Sequence, residues 1–225
     1  MRLLIDNLLN DATLTANNPS TAFPASNIIS DRLTERARFD STLLIDLGST
    51  MTVTAVAYGG ASTAITLQGN STNSWGSPAF SQALTASVTF ISASYRYWRI
   101  STGVTDSRIG YFYLGEYLQL PAHDYNNLSD PKNTDILSIT SGRAVYNTKG
   151  IVYNTETVNF PLVTSTEYAE FETWWRSDDR ARNHFFVPFE DAIADCPPYF
   201  SRITEFKPTR DQRAYGYSLS LIEAK

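Results

Sequence analysis

At 225 residues, 42% hydrophobic, 18% charged and with a formal net charge of −5, the chain can bury a real core and carries no basic footprint for nucleic acid. Its single cysteine, Cys196, excludes an internal disulfide, and with His123 and His184 as the only imidazoles no recognisable thiol-nucleophile arrangement is present. No apolar run reaches the length of a membrane span, and the opening MRLLIDNLLND lacks a basic-then-apolar leader, so the expectation is a chain made and folded in a cytoplasm and not inserted in a membrane.

Residues 1–122 are rich in Ser, Thr, Ala, Asn and Gly, with short β-branched runs between turn residues. That pattern predicts an antiparallel all-β unit. Expected strands are Leu43 to Asp46, Thr52 to Tyr58, Ala64 to Gln68, Ser87 to Ile91, Tyr97 to Ile100 and Ile109 to Leu118, spaced as in a sandwich or jelly roll. In Thr52 to Ala57 the valines are expected to face the core. Leu44-Ile45-Asp46-Leu47-Gly48 reads as a buried strand ending in a turn that needs glycine. Trp98 and Ile100 alternate with Tyr97 and Arg99, which puts alternate residues inside.

These segments also carry a resemblance. Phe23-Pro24-Ala25-Ser26-Asn27-Ile28-Ile29-Ser30-Asp31, Ala37-Arg38-Phe39, Leu44 to Gly48, Tyr95 to Ile100 and Tyr113-Leu114-Gly115-Glu116-Tyr117 follow one another as in the discoidin, or coagulation factor 5/8 type C, family. The resemblance implies a galactose-binding-like β-sandwich whose end loops bind sugars, lipids or proteins. Cysteines that bridge some members are not matched here. Some members hold a structural calcium, and Asn27, Asp31 and Glu116 stand where its ligands would, though no dense acidic loop accompanies them. Trp75, in the polar Gly69 to Gly76 loop, is the candidate for sugar stacking, its alternative being a loop indole pinned onto the sandwich. Arg38 is the second glycan candidate. No cofactor is expected.

Residues 121–134 are rich in Pro, Asp and Asn, and 123–134 read as a linker. Residues 135–225 then give hairpin strands at Ile136 to Thr140, Ala144 to Tyr146, Gly150 to Tyr153 and Thr157 to Leu162, with glycine-bearing turns. Thr164 and Glu167 form a capping box that starts a helix over 165–179. Along it Tyr168, Phe171, Trp174 and Trp175 make an aromatic stripe that should lie on a sheet. Strands are expected again at His184 to Phe189, Phe200 to Lys207 and Ala214 to Ile222, the last alternating Tyr215, Tyr217, Leu219 and Leu221.

This second order of elements has its own resemblance. Thr140-Ser141-Gly142-Arg143, Asn159-Phe160-Pro161-Leu162, the helix from Glu167 to Phe171, His184 to Phe189 and Tyr215-Gly216-Tyr217-Ser218-Leu219 look like the short tail proteins of long-tailed bacteriophages. The resemblance implies a β-sandwich or barrel with one flanking helix that builds a ring at the tail tip, as a distal-tail, baseplate or hub-associated component of the virion. Implied partners are further copies in a closed hexamer or trimer, the tube, hub and tape-measure proteins, and a cell-surface glycan. Candidate subunit contacts are Trp174, Trp175, Arg176, Arg180, Arg182, Tyr215 and Tyr217, since aromatics and arginines anchor interfaces. The alternative class is a carbohydrate-binding adhesin. An enzyme is not expected: Asp178 with Asp179 and Glu190 with Asp191 are adjacent pairs that neither strand nor helix geometry converges, and no phosphate loop, zinc cluster or nucleophile elbow occurs.

Overall fold

The computed structural model describes residues 2–30, 35–121, 130–133, 136–139, 145–148, 152–176, 184–187, 199–211 and 214–223. Among them the chain is mainly β with one α-helix. It divides into two units, the first built on Arg2–Gln119 and the second running from Leu120.

The first unit contains β1 (Arg2–Asn7), β2 (Thr13–Ala16), β3 (Ala37–Phe39), β4 (Thr42–Gly59), β5 (Ile65–Asn70), β6 (Phe80–Leu84), β7 (Val88–Ser101), β8 (Ser107–Ile109) and β9 (Tyr111–Gln119). The strand order is β1-β9-β4-β7-β5-β6, with β2 on β4 and a separate β3-β8 ladder. Two pairs of expected short strands are in fact the halves of β4 and β7. β4 runs through because its register against β7 shifts between Asp46 and Met51 and again between Val53 and Ala55. Such bulges bend a strand without ending it. Gly48 is therefore not a turn between strands but the left-handed residue of the first shift, at φ +76°. There the Asp46 carboxylate accepts its amide at 2.8 Å. The second shift breaks the strict alternation of Thr52 to Ala57, which lets both Val53 and Val56 be buried.

The core lies between the two halves. Leu43, Ile45, Trp98 and Ile100 from one half meet Val53, Val56, Phe112 and Leu114 from the other, with Phe39, Ile109, Leu9 and Ile28 closing it. Strands β1, β2, β3 and β6 were not among those expected. Polar anchors the sequence pattern does not reveal hold β1 in place. The Asn7 amide, buried, donates to the Phe112 carbonyl at 3.1 Å and accepts from the amides of Leu9 and Leu114 at 3.3 and 3.2 Å. The Arg2 guanidinium lies 4.0 Å from the Phe90 ring centre and 4.1 Å from that of Tyr117, a double cation–π contact. On the other side of β1 a return strand, His184–Val187, pairs Phe186 with Leu3 and Val187 with Arg2. That strand, expected to complete the second unit, places 185–187 in the first.

In the second unit, β10 (Asp130–Asn133), β11 (Ile136–Ile139), β12 (Val145–Thr148), β13 (Val152–Val163) and α1 (Ser165–Trp175) precede the return strand β14, and β15 (Tyr199–Asp211) and β16 (Ala214–Glu223) follow it. The order within the unit is β10-β13-β16-β15, with β11-β12 a separate hairpin. Part of the expected linker is strand: Asp130 to Asn133 pair with Thr155 to Val152, and Pro131 is tolerated because β10 is an edge. The Thr164 hydroxyl accepts the Glu167 amide at 3.2 Å and the Glu167 carboxylate accepts the Thr164 amide at 2.8 Å, completing the capping box. The helix ends at Trp175 with Arg176 as its C-cap, short of the expected 179; residues 177–183 lie outside the described ones. Phe171, buried, stacks on Tyr217 with ring centres 4.8 Å apart, and Tyr168 meets Tyr215 at 5.4 Å. The aromatic stripe thus lies on β15 and β16 as its spacing required.

Candidate functional site: an aromatic-walled cleft on the first unit

Cross-strand partners share a face of a sheet, so register decides which side chains meet. Leu14, Ile45, Trp98 and Gly69 form one row across β2, β4, β7 and β5, and Ile45 and Trp98 are fully buried. The rows on either side point the other way. One is Thr13, Asp46, Tyr97 and Asn70; the other is Thr15, Leu44, Arg99 and Gln68. The outer face is therefore polar and hydroxyl-rich, while the inner face is apolar.

The loop after β5 brings Trp75 to that outer face. The Asn70 amide donates to the Ser74 carbonyl at 2.7 Å and its oxygen accepts the Ser71 amide at 2.9 Å, which pins the start of the loop. The indole N–H donates to Asn73 Oδ1 at 2.8 Å. Below the ring, the Arg99 guanidinium sits 4.7 Å from its centre and donates through Nε to Gln68 Oε1 at 2.8 Å. Burial pulls the Arg99 pKa down from its usual value, as expected for a cation partly covered by an aromatic ring. Trp75 is half-buried and held in one orientation by two independent contacts.

Between this ring and the strands opens a cleft of about 130 Å³ lined by Thr13, Thr15, Leu44, Ile45, Asp46, Asn73, Trp75 and Tyr97. Its charged wall is Asp46. Arg96 donates from Nε to Oδ1 at 2.8 Å and from Nη2 to Oδ2 at 3.0 Å, a bidentate pair. That pairing, with the Gly48 amide second, holds the Asp46 carboxyl below the usual carboxylate range and the Arg96 pKa above its own. At about 130 Å³ the cleft is too small to engulf a drug-sized ligand, for which pockets run to ~300–1,000 Å³. It suits the face of a single flat or saccharide ring.

Arg38 stands apart from this cleft. It lies on β3 opposite Arg108 of β8, and both guanidinia pair with Asp106. The Asp106 amide in turn donates to Asp40 at 2.9 Å, and Asn18 donates to the other Asp40 oxygen at 2.7 Å. Asn18, Ser41 and Asp106, the non-glycine residues of positive φ among the described residues, all belong to this corner. Of the calcium candidates, Asn27 donates its side-chain amide to the Arg36 carbonyl at 3.1 Å, Glu116 is exposed, and Asp31 lies outside the described residues. Among the described residues no group of three or more His, Cys, Asp or Glu is placed to hold a metal ion. Of the contact candidates on the second unit, Trp174 and Tyr217 are buried within it, Trp175 and Tyr215 are half-buried and Arg176 is exposed. Arg180 and Arg182 lie outside the described residues.

Sequence reasoning singled out Trp75 but missed the rest of its cleft. Thr13 and Thr15 lie on a strand the sequence reading did not expect, Tyr97 was legible only as an alternating strand position, and Asp46 stood inside a segment read wholly as scaffold.

No protein-family model matches the sequence, and no curated protein matches it. Among solved structures, the chain is similar to the family 32 carbohydrate-binding module of NanJ from Clostridium perfringens, in complex with galactose, at 16% identity and a TM-score of 0.39, over 52% of this chain and 99% of that one. It is similar to the corresponding module of AlyQ, in complex with 4,5-unsaturated mannuronic acid, at 19% identity and 0.38, over 51% and 97%. A chitosan-binding module of a chitosanase/glucanase from Paenibacillus sp. IK-5, in complex with chitotriose, matches at 14% identity and 0.36, over 49% and 100%.

Proposed function

We propose that the first unit is a non-catalytic carbohydrate-binding module and that the Trp75 cleft is its binding site. The observation that carries this reading is the fixed indole. Arg99 and Asn73 orient a half-buried Trp75 beside a wall of hydroxyls and one carboxylate. Saccharides are bound by that combination of an apolar platform for the ring's C–H face and polar groups for its hydroxyls. Preorganisation lowers the entropy lost on binding, which matters most for a small, shallow site. The test is a glycan array followed by titration of the Trp75→Ala variant. Binding that falls at least about tenfold on that change supports the reading, since such a fall corresponds to about 1.4 kcal/mol and a stacked aromatic supplies that order of energy. Absence of binding to any saccharide at millimolar concentration would overturn it.

A second reading concerns the setting in which the module works: a structural component of a bacteriophage tail tip, in which the second unit assembles into a closed ring and the first braces neighbours or touches host glycan. What supports it is the strand-helix-strand order of β13, α1, β15 and β16, the order on which the resemblance to tail proteins rests. Closed symmetry satisfies exposed strand edges. Because Trp174 and Tyr217 are buried within the unit, they serve this reading by seating the helix, leaving Trp175, Arg176 and Tyr215 for contact with a neighbour. A sedimentation mass equal to a trimer or hexamer, or recovery of the polypeptide from virions, supports it; a strictly monomeric protein absent from virions sinks it.

A further inference from the structure

We infer that the Trp75 cleft selects neutral saccharide rings and discriminates against their uronic acid counterparts, with Asp46 as the specificity-determining residue. This rests on the reading of the cleft as a saccharide site and adds what that site accepts.

The argument is a count of acceptor positions and charges. Each oxygen of an ionised carboxylate offers two acceptor directions. Oδ1 of Asp46 receives the Gly48 amide and Arg96 Nε, both at 2.8 Å. Oδ2 receives Arg96 Nη2 at 3.0 Å, which leaves it with an unused acceptor direction in a residue that lines the cleft. A ligand hydroxyl can donate to this atom. A donor hydroxyl on a charged acceptor makes a shorter and stronger bond than on a neutral one.

The cations nearby are otherwise engaged. Arg96 spends its fork on Asp46 and lies against Tyr97, while Arg99 is held by Gln68 under the indole. Neither is among the described lining residues, which include no lysine, arginine or histidine. Asp46 is thus the one charged group among the described lining residues, so an incoming carboxylate meets its like there, while the positive charges of Arg96 and Arg99 lie behind the lining and reduce the repulsion without abolishing it. Thr13 and Thr15 are exposed and offer hydroxyls able to donate or accept, so they do not oppose a neutral ligand. The apolar share of the recognition falls to Trp75.

Matched pairs make the test direct: galactose against galacturonate and glucose against glucuronate differ only in the oxidation of one carbon. Titrated into the full chain at low salt, the neutral sugar should bind roughly tenfold more tightly than the acid, the scale of a like-charge contact at a partly exposed site. The gap should narrow with added salt. Asp46→Asn should weaken the neutral sugar severalfold and bring the neutral-to-acid ratio close to one, with a retained cooperative unfolding transition, at a somewhat lower midpoint, as the check on folding. Thr15→Val, on the same wall but uncharged, should weaken both sugars alike and leave the ratio unchanged. Equal or tighter binding of the acid at a site still abolished by Trp75→Ala would overturn the inference while the carbohydrate-binding reading stood. A neutral-to-acid ratio unmoved by Asp46→Asn would overturn Asp46 as its source. Binding of neither sugar, or binding indifferent to Trp75→Ala, would overturn the underlying site and the inference with it.

Discussion

Asp46 does two things at once at the level of a single side chain. It ties the first bulge of β4 through the Gly48 amide and neutralises Arg96. Because its folded-state pKa lies below the usual carboxylate range, the pairing stabilises the native state at pH values above the unfolded carboxyl pKa and is lost as pH falls through the lower, folded one. The expectation is that saccharide binding is flat from pH 8 to pH 5 and declines only below about pH 4. Replacing Arg96 with Ala removes the largest cause of the shift, so NMR titration should show the Asp46 carboxyl moving up toward its ordinary value. Arg99→Ala, by contrast, should leave Asp46 untouched and loosen Trp75, read as a change in its fluorescence anisotropy. Trp75 was legible in the sequence as an aromatic in a polar loop. Asp46 was not, because a residue inside a strand landmark reads as scaffold until register shows which face it occupies.

Among the elements, the contrast between α1 and β1 shows what local pattern conveys. The helix start was readable because a capping box and an aromatic stripe are short-range signals, and Thr164 and Glu167 make both bonds. Thr164→Ala should destabilise the protein by about 1 kcal/mol, within the range of ~0.5–2 for lost caps, measured by urea unfolding followed on the second unit's tryptophans. β1 was missed because its place depends on partners more than a hundred residues away. Its bulge between Leu4 and Asp6 seats the Asp6 carbonyl against Gly115, where a side-chain carbon would collide with it. The Asp6 amide donates to the Tyr113 hydroxyl at 3.3 Å, and that hydroxyl donates to the Glu116 carbonyl. Gly115→Ala should therefore cost about 2 kcal/mol or more, in the manner of an overpacked core, with β1 amides losing hydrogen-exchange protection first.

Across the whole molecule, the sequence was informative about class and poor about bookkeeping of strands. Mainly β architecture with one helix followed from composition and periodicity, and the aromatic helix lies on its sheet as its spacing required. What could not be read was that Phe186 and Val187 return to pair with Leu3 and Arg2. A strand's alternation says that it has a buried face but not which sheet receives it. A fragment ending at residue 121 would lack that partner and leave the outer side of β1 unpaired, an aggregation-prone edge. Such a fragment should show a lower unfolding midpoint than the full chain and a greater tendency to associate in light scattering.

The return strand also sets an order of events during synthesis. Residues 2–119 leave the ribosome well before 186 and 187, and at ~5–20 residues per second the interval is on the order of several seconds. Throughout that interval the nascent first unit carries an open flank beside its N-terminal strand, so a chaperone that shields such flanks should engage it then and release it once the returning segment docks.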